Sequence, residues 1–186
     1  MGKGSTVGQA MLDSPDVIHS FWIPGLAGKV DMIPGRRTRL VVEPTRPATL
    51  RGQCAEFCGT SHALMAFPVE VLSPADFADW LARERAAAAP PEAGPARTGQ
   101  ALFAALGCGG CHRVRGTEAA GTIGPDLTHF ASRPTIGAGT LPNEPAPLLL
   151  WLARTDKVKP DVPMPSFGML PAAELDALAT YLAGLR

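Results

Sequence analysis

The chain has 186 residues, with 17 Lys and Arg balancing 17 Asp and Glu for a formal net charge of zero. That balance excludes a nucleic-acid-coating protein and a polybasic membrane-surface protein, both of which need a large positive excess. An apolar fraction of 46% excludes a chain disordered throughout, and the length admits one domain or two small ones.

No run of residues reaches the about 18 consecutive apolar positions of a membrane helix. Lys3 is followed by no apolar stretch, so no signal peptide is visible. The first half reads mostly as β. Thr38–Glu43 is strand-like and stops at Pro44, Thr45–Pro47 suits a turn, and Thr49–Arg51 resumes an extended run. Ala66–Leu72 is a further strand, and Pro68 marks it as an edge or a bulge. Ser73-Pro74-Ala75-Asp76 then opens a helix: Ser73 suits the N-cap, Pro74 the first helical position, and Asp76 the positive helix end. Phe77, Trp80 and Leu81 give that helix one apolar face.

Residues 83–98 shift to Ala, Pro and Gly, which predicts a linker over 83–95, stiffened at Pro90-Pro91. The second half reads as helical. Thr98–Leu106 carries Ala101, Leu102, Ala105 and Leu106 on one face, Pro147–Leu152 is a second apolar helix, and Glu174–Leu185 places Leu175, Leu178, Leu182 and Leu185 in a stripe. Between them, residues 116–146 form a long Gly/Pro loop of the kind that is functional or wrapped around something. Charge is also uneven. Lys29 to Arg51 holds six basic and two acidic residues, whereas Gln53 to Trp80 holds four acidic residues and no Lys or Arg. This suits either ordinary surface patterning or a docking face for a partner.

Two constellations carry chemistry. In the first, CAEFCGTSHALM, Cys54, Cys58, His62 and Met65 bring two thiols, an imidazole and a thioether within twelve residues. Soft sulfur ligands with imidazole favour copper over magnesium or calcium. Upstream, Asp16–Trp22 offers a second imidazole, His19, in an apolar strand. The same residues also admit a Cys54–Cys58 disulfide, a tetrahedral zinc site with His19 or a Cys–His nucleophile pair. In the second constellation, Cys108-Gly109-Gly110-Cys111-His112 is the C-x-x-C-H signature of covalent c-type haem, with His112 as the proximal iron ligand. A thioredoxin-like pair is the alternative, but it expects a βαβ context that is missing here. The sixth ligand must come from far downstream, where Met164 and Met169 are the candidates.

The runs DVIHSFWIPGLAGKVDMIPGR and GQCAEFCGTSHALM resemble the binuclear copper (CuA) domain of subunit II of haem–copper cytochrome c oxidase. The resemblance implies that His19 and His62 each bind one copper and that Cys54 and Cys58 bridge both as thiolates. Met65 and the Glu56 carbonyl would be weak axial ligands, and the Glu56 carboxylate would reach a magnesium ion shared with subunit I. Trp22 would line the electron exit path or pack in the core. The run VKPDVPMPSFGML resembles the axial-ligand loop of class I cytochromes c, which selects Met164 and leaves Met169 to the core. The run Gly124–Leu127 is similar to that family's loop in which the Pro125 carbonyl accepts the proximal His N–H. Arg133 would pair with a haem propionate, Trp151 would pack near the haem edge, and His129 is expected to be an ordinary loop residue. The segment from Gly124 to Ala153 resembles the cytochrome module fused to subunit II in caa-type oxidases.

The expectation is therefore two modules. Residues 1–82 would form a mostly β, partial cupredoxin-like CuA domain, N-terminally truncated so that it lacks the family's first strands and two transmembrane helices. Residues 96–186 would form an all-α class I cytochrome c domain in which the Thr98–Leu106 and Glu174–Leu185 helices pack together. The resemblance implies an electron-transfer subunit of a proton-translocating oxidase, working with subunit I, other oxidase subunits and an upstream donor such as cytochrome c or a quinol-oxidising complex. It would lie on the outer, periplasmic face of a bacterial plasma membrane, held by partner subunits or by the missing helices. Two rivals remain: a free copper–haem carrier, and a CuA module like that of nitrous oxide reductase.

Overall fold

A computed structural model describes residues 8–186. Residues 1–7, with Lys3 and the head of the domain expected over 1–82, lie outside the described residues. The described residues divide into two compact units, residues 8–81 with 138–140, and residues 82–137 with 141–186.

The first unit is built on short strands with alternating burial. They are β1 (Gly8–Leu12), β2 (His19–Trp22), β3 (Val30–Met32), β4 (Thr38–Val42), β5 (Ala48–Cys54) and β6 (Ala66–Val71). The period of two that places side chains on opposite faces puts Leu12, Leu40 and Ala66 inside and leaves Met11 and Val41 outside. Strands β1 and β4 pair antiparallel as a two-stranded sheet, and the other four form a sheet in the order β3-β2-β5-β6. Strand β6 is an edge, and its Pro68 sits opposite Arg51, where a missing N–H costs no ladder bond on the open side. The register sets Phe21 opposite Cys54 and His19 opposite Met32, which brings β2, with His19, beside the end of β5.

Helix α1 (Pro74–Arg85) begins as its sequence requires: the Asp76 N–H donates to Ser73 Oγ at 3.2 Å. Its expected apolar face forms, with the Phe77 and Trp80 rings 5.4 Å apart, yet no residue of the helix is buried. Residues 84–88 of the expected linker are held by hydrogen bonds within the second unit: Arg115 donates to the Glu84 and Ala86 carbonyls, and the Ala88 N–H donates to the Arg115 carbonyl at 3.0 Å.

The second unit is helical. It consists of α2 (Pro95–Ala105), α3 (Pro145–Val158) and α4 (Ala172–Ala183), with the short antiparallel pair β7 (Thr135–Ile136) and β8 (Leu141–Pro142) inside the long Gly/Pro loop. Helices α2 and α4 pack closely, with the Phe103 and Tyr181 rings edge-on at 5.6 Å. The buried face of α2 differs from the expected one. Gly99 and Phe103 are buried, Leu102 and Leu106 pack beside them, and Ala101 and Ala105 are exposed. The reason is steric: a Cβ at Gly99 would collide with the Ala177 carbonyl, so only glycine allows the two backbones to approach on that side. The stripe on α4 holds, with Leu178, Leu182 and Leu185 buried and Leu175 against the core. Among the described residues no helix is long and apolar enough to cross a membrane.

Candidate metal and haem centres

In the first unit the donors converge at the end of β5. The turn after Cys54 bends back through Gly59, whose φ of 130° suits glycine, and through a short 3-10 turn at His62–Leu64. This returns the chain so that the Cys54 N–H donates to the Met65 carbonyl at 2.9 Å. The two sulfurs of Cys54 and Cys58 lie 3.8 Å apart, and none of the four cysteines, all among the described residues, is in a disulfide. Around the pair, Cys54 Sγ is 3.9 Å from His19 Nδ1 and 3.2 Å from the Glu56 carbonyl. Cys58 Sγ is 3.6 Å from His62 Nδ1 and 3.3 Å from Met65 Sδ. The ligand-bearing atoms of His19, Cys54 and Cys58 all lie within 4.8 Å of one another. Every residue expected at this site is therefore brought to it, including the backbone oxygen of Glu56; the Glu56 side chain is exposed.

The electrostatics favour a charged sulfur. Burial alone would raise the Cys54 thiol, but hydrogen bonds with the backbone at Ser20 and Glu56 and with the His19 and His62 rings lower it to about 7. A residue outside the expected set completes the arrangement. Asp16 Oδ1 sits 2.9 Å from His19 Nε2, and Ser14 Oγ donates to the same carboxylate at 2.8 Å. The signal available in the sequence was an acid three residues before His19. Phe57, between Glu56 and Cys58, is 79% exposed and tilts over the His62 ring at 5.7 Å. Trp22 is half-buried in β2, opposite Gln53. A dense set of two thiols, two imidazoles, a thioether and a carbonyl, with a carboxylate on the outer nitrogen of one imidazole, fits a soft transition metal such as copper.

In the second unit Cys108–Gly110 forms a 3-10 turn, started by Gly107 at φ 76°. His112 follows Cys111, its N–H donating to the Cys108 carbonyl at 2.9 Å, and its Nδ1 lies 2.8 Å from the Pro125 carbonyl. That contact fixes the tautomer and leaves Nε2 to face a metal. Gly124 is required here, because a Cβ would lie 2.5 Å from His112 Cε1. Burial raises the Cys108 thiol. Leu141, Trp151, Met164 and Leu170 pack against the core while staying only partly buried, an apolar face of the kind a porphyrin covers. Trp151 also lies against Gly137, where a Cβ would come 2.9 Å from its ring. Of the two downstream methionines, Met164 packs on the core, whereas Met169, expected to be core, is 77% exposed at the turn before α4. Arg133 directs Nη2 to the Asp126 carbonyl. His129 is buried, with Nε2 3.1 Å from the Ala86 carbonyl.

Residues 5–72 match the family described as cytochrome c oxidase subunit II, periplasmic domain, and residues 96–186 match the cytochrome c family. The chain is 36% identical over 175 residues to cytochrome c oxidase subunit 2 of Alkalihalophilus pseudofirmus, covering 94% of this chain and 50% of that one. The chain thus carries a cytochrome c oxidase subunit II periplasmic domain followed by a cytochrome c domain. The subunit 2 of Bacillus sp. PS3 is likewise 36% identical, over 94% of this chain and 52% of its own length. The periplasmic domain of subunit II of Bradyrhizobium japonicum cytochrome oxidase aligns with 41% of this chain and 56% of its own at 34% identity and a TM-score of 0.40. The chain spans about half the length of the curated relatives it matches. The subunit II domain is thus a copper domain, and the cytochrome c domain a haem c domain.

Proposed function

We propose that this chain is the electron-transfer portion of subunit II of a caa-type respiratory oxidase. In this role it accepts electrons from an upstream donor at haem c, delivers them to a binuclear CuA centre, and hands them to subunit I, where dioxygen is reduced to water. The observation that carries the reading is that one polypeptide gathers His19, Cys54, Cys58, His62 and Met65 around a sulfur pair and fixes His112 beside a C-x-x-C-H turn.

When bound, each group supplies a site that gains and loses single electrons. The protein's part is to hold the donors still. Cys54 and Cys58 would hold the copper as thiolates, His19 and His62 as imidazole donors, and Met65 and the Glu56 carbonyl as weaker donors. Their anchorage on β2, β5 and the hydrogen-bonded return to Met65 limits rearrangement when charge changes. With thiolate, imidazole, thioether and carbonyl donors all supplied by the chain, the site suits electron passage rather than substrate binding. Cys108 and Cys111 would tether the porphyrin, with His112 and Met164 holding the iron and Arg133 near a propionate. His/Met ligation raises a haem potential, which suits donation to copper. The exposed Glu56 carboxylate is free to reach a magnesium ion at the border with subunit I.

The partners on this reading are subunit I, the other oxidase subunits and a donor such as cytochrome c or a quinol-oxidising complex. The place is the periplasmic face of a bacterial plasma membrane, as the family description of the first domain supports. The test is purification from the native membrane. Two coppers and one haem c per chain, co-purification with subunit I and cyanide-sensitive oxygen uptake are expected. A chain loaded with both groups but unattached to any oxidase is instead a free carrier, and nitrous oxide turnover would mark a reductase.

A further inference from the structure

We propose that Arg115 is a positioning residue for the proximal haem ligand, tying a strap formed by residues 84–88 to the loop that holds His112. The inference rests on the haem reading of this unit and goes beyond it.

Arg115 is used at both ends. Its guanidinium sends Nη1 to Asp126 Oδ2 at 3.0 Å and Nη2 to the Glu84 carbonyl and, at 3.2 Å, to the Ala86 carbonyl. Its backbone N–H donates to Thr128 Oγ1 at 2.9 Å, and its carbonyl accepts the Ala88 N–H at 3.0 Å. Asp126 is itself gripped by the Thr128 N–H at 2.9 Å and the Thr128 hydroxyl at 2.5 Å, while its carbonyl accepts from Arg133. Thr128 is 1% exposed, so the knot is anchored on a buried hydroxyl, while the Arg115 and Asp126 side chains stay partly exposed. Directly before Asp126 stands Pro125, whose carbonyl is 2.8 Å from His112 Nδ1. Two links therefore separate the strap from the iron ligand: the Arg115 fork and one peptide. Buried His129 fastens the strap a second time through the Ala86 carbonyl.

The residue type is dictated by the acceptors it must reach. Only a planar group with five donors can reach a carboxylate and two carbonyls together, and the ammonium of lysine would serve one or two of them. An exposed ion pair contributes little, but here the charge contact is one of five hydrogen bonds that fix a loop. The electronic consequence runs through His112. A firm Nδ1–H···O=C contact makes Nε2 a stronger donor and stabilises ferric iron. If the strap lets go, the Pro125 carbonyl loosens and the ferrous state gains.

The test uses the full haem-bearing chain. In Arg115→Gln, trypsin is expected to cut after Arg83 and Arg85 at least tenfold faster than in the parent. The ferrous-to-ferric ratio at fixed poise should rise about three- to tenfold, tenfold being about 59 mV for one electron. Arg115→Lys keeps charge and stem, so it folds even where the glutamine variant does not, and should show both changes at smaller size. A freed strap with an unchanged ratio in either variant, or a strap cut no faster, overturns the inference while leaving the haem reading intact. A parent chain that matures without covalent haem overturns both.

Discussion

Asp16 stands behind His19: its Oδ1 is 2.9 Å from Nε2, and the same ring turns Nδ1 towards Cys54 Sγ at 3.9 Å. The hydrogen bond to His19, joined by that from Ser14, lowers the Asp16 carboxyl to about 2, so it stays ionised and keeps Nε2 protonated. Nδ1 is then the nitrogen left for a metal. Removal of such an outer carboxylate weakens metal binding by about 10–100-fold. Asp16→Ala is expected to show that loss in a copper competition titration, with β-sheet content by circular dichroism unchanged. Asp16→Asn should retain more of the affinity, because an amide oxygen still accepts from Nε2.

The haem ligand loop makes a steric prediction. Gly124→Ala would put a methyl 2.5 Å from His112 Cε1 and 2.7 Å from Nδ1. The ring must swing away from the Pro125 carbonyl or the loop must shift, at a cost of about 1–3 kcal/mol. Covalent haem yield and thermal midpoint are both expected to fall. A variant that matures with parental yield and midpoint would show that the ring has another resting place.

Much of the site is legible in the sequence, and the exceptions have physical causes. Most of the candidate ligands lie in two short local runs, where spacing alone brings Cys54, Cys58, His62 and Met65 together and sets His112 behind Cys111, whereas His19 and Met164 come from distant parts of the chain. Pro68 on the edge strand and Ser73 at the head of α1 also declare themselves through local backbone chemistry. The face of α2 does not, because Gly99 carries no side chain to enter a hydrophobic pattern, and its role appears only when the Ala177 carbonyl is beside it. Met169 reads as core by residue type, yet its turn faces water. Arg115 and Asp126 are eleven residues apart and read as surface charges until the loop folds them together at 3.0 Å. Helix α1 shows the reverse case, since its pattern promises a buried face that stays open.

The two downstream methionines separate by burial. Met164 packs on the core of the second unit while Met169 is 77% exposed. Met164→Ala is expected to free one axial position of the haem, seen as a change of iron spin state and binding of added imidazole or cyanide. Met169→Ala should leave the haem spectrum as it was. The reverse pattern would transfer the ligand role to Met169.

The knot around Asp126 predicts a pH dependence with a definite sign. Burial tends to raise its carboxyl, but the hydrogen bonds from Thr128 and the charges of Arg115 and Arg113 prevail and lower it. A carboxyl lowered in the folded state stabilises the fold above its unfolded pKa, about 3.9. The contribution is lost as pH falls through the folded value, because the unfolded chain then takes up the proton first. Asp126→Asn removes the ionisable group at every pH. At pH 7 the parent should therefore be more stable to denaturant than the variant, and the gap should close as the pH drops below about 4. Denaturation midpoints of the two haem-bearing chains, measured from pH 7 to pH 3, would check this. A gap of constant size would mean that the Asp126 charge is not what the Thr128 and Arg115 hydrogen bonds hold.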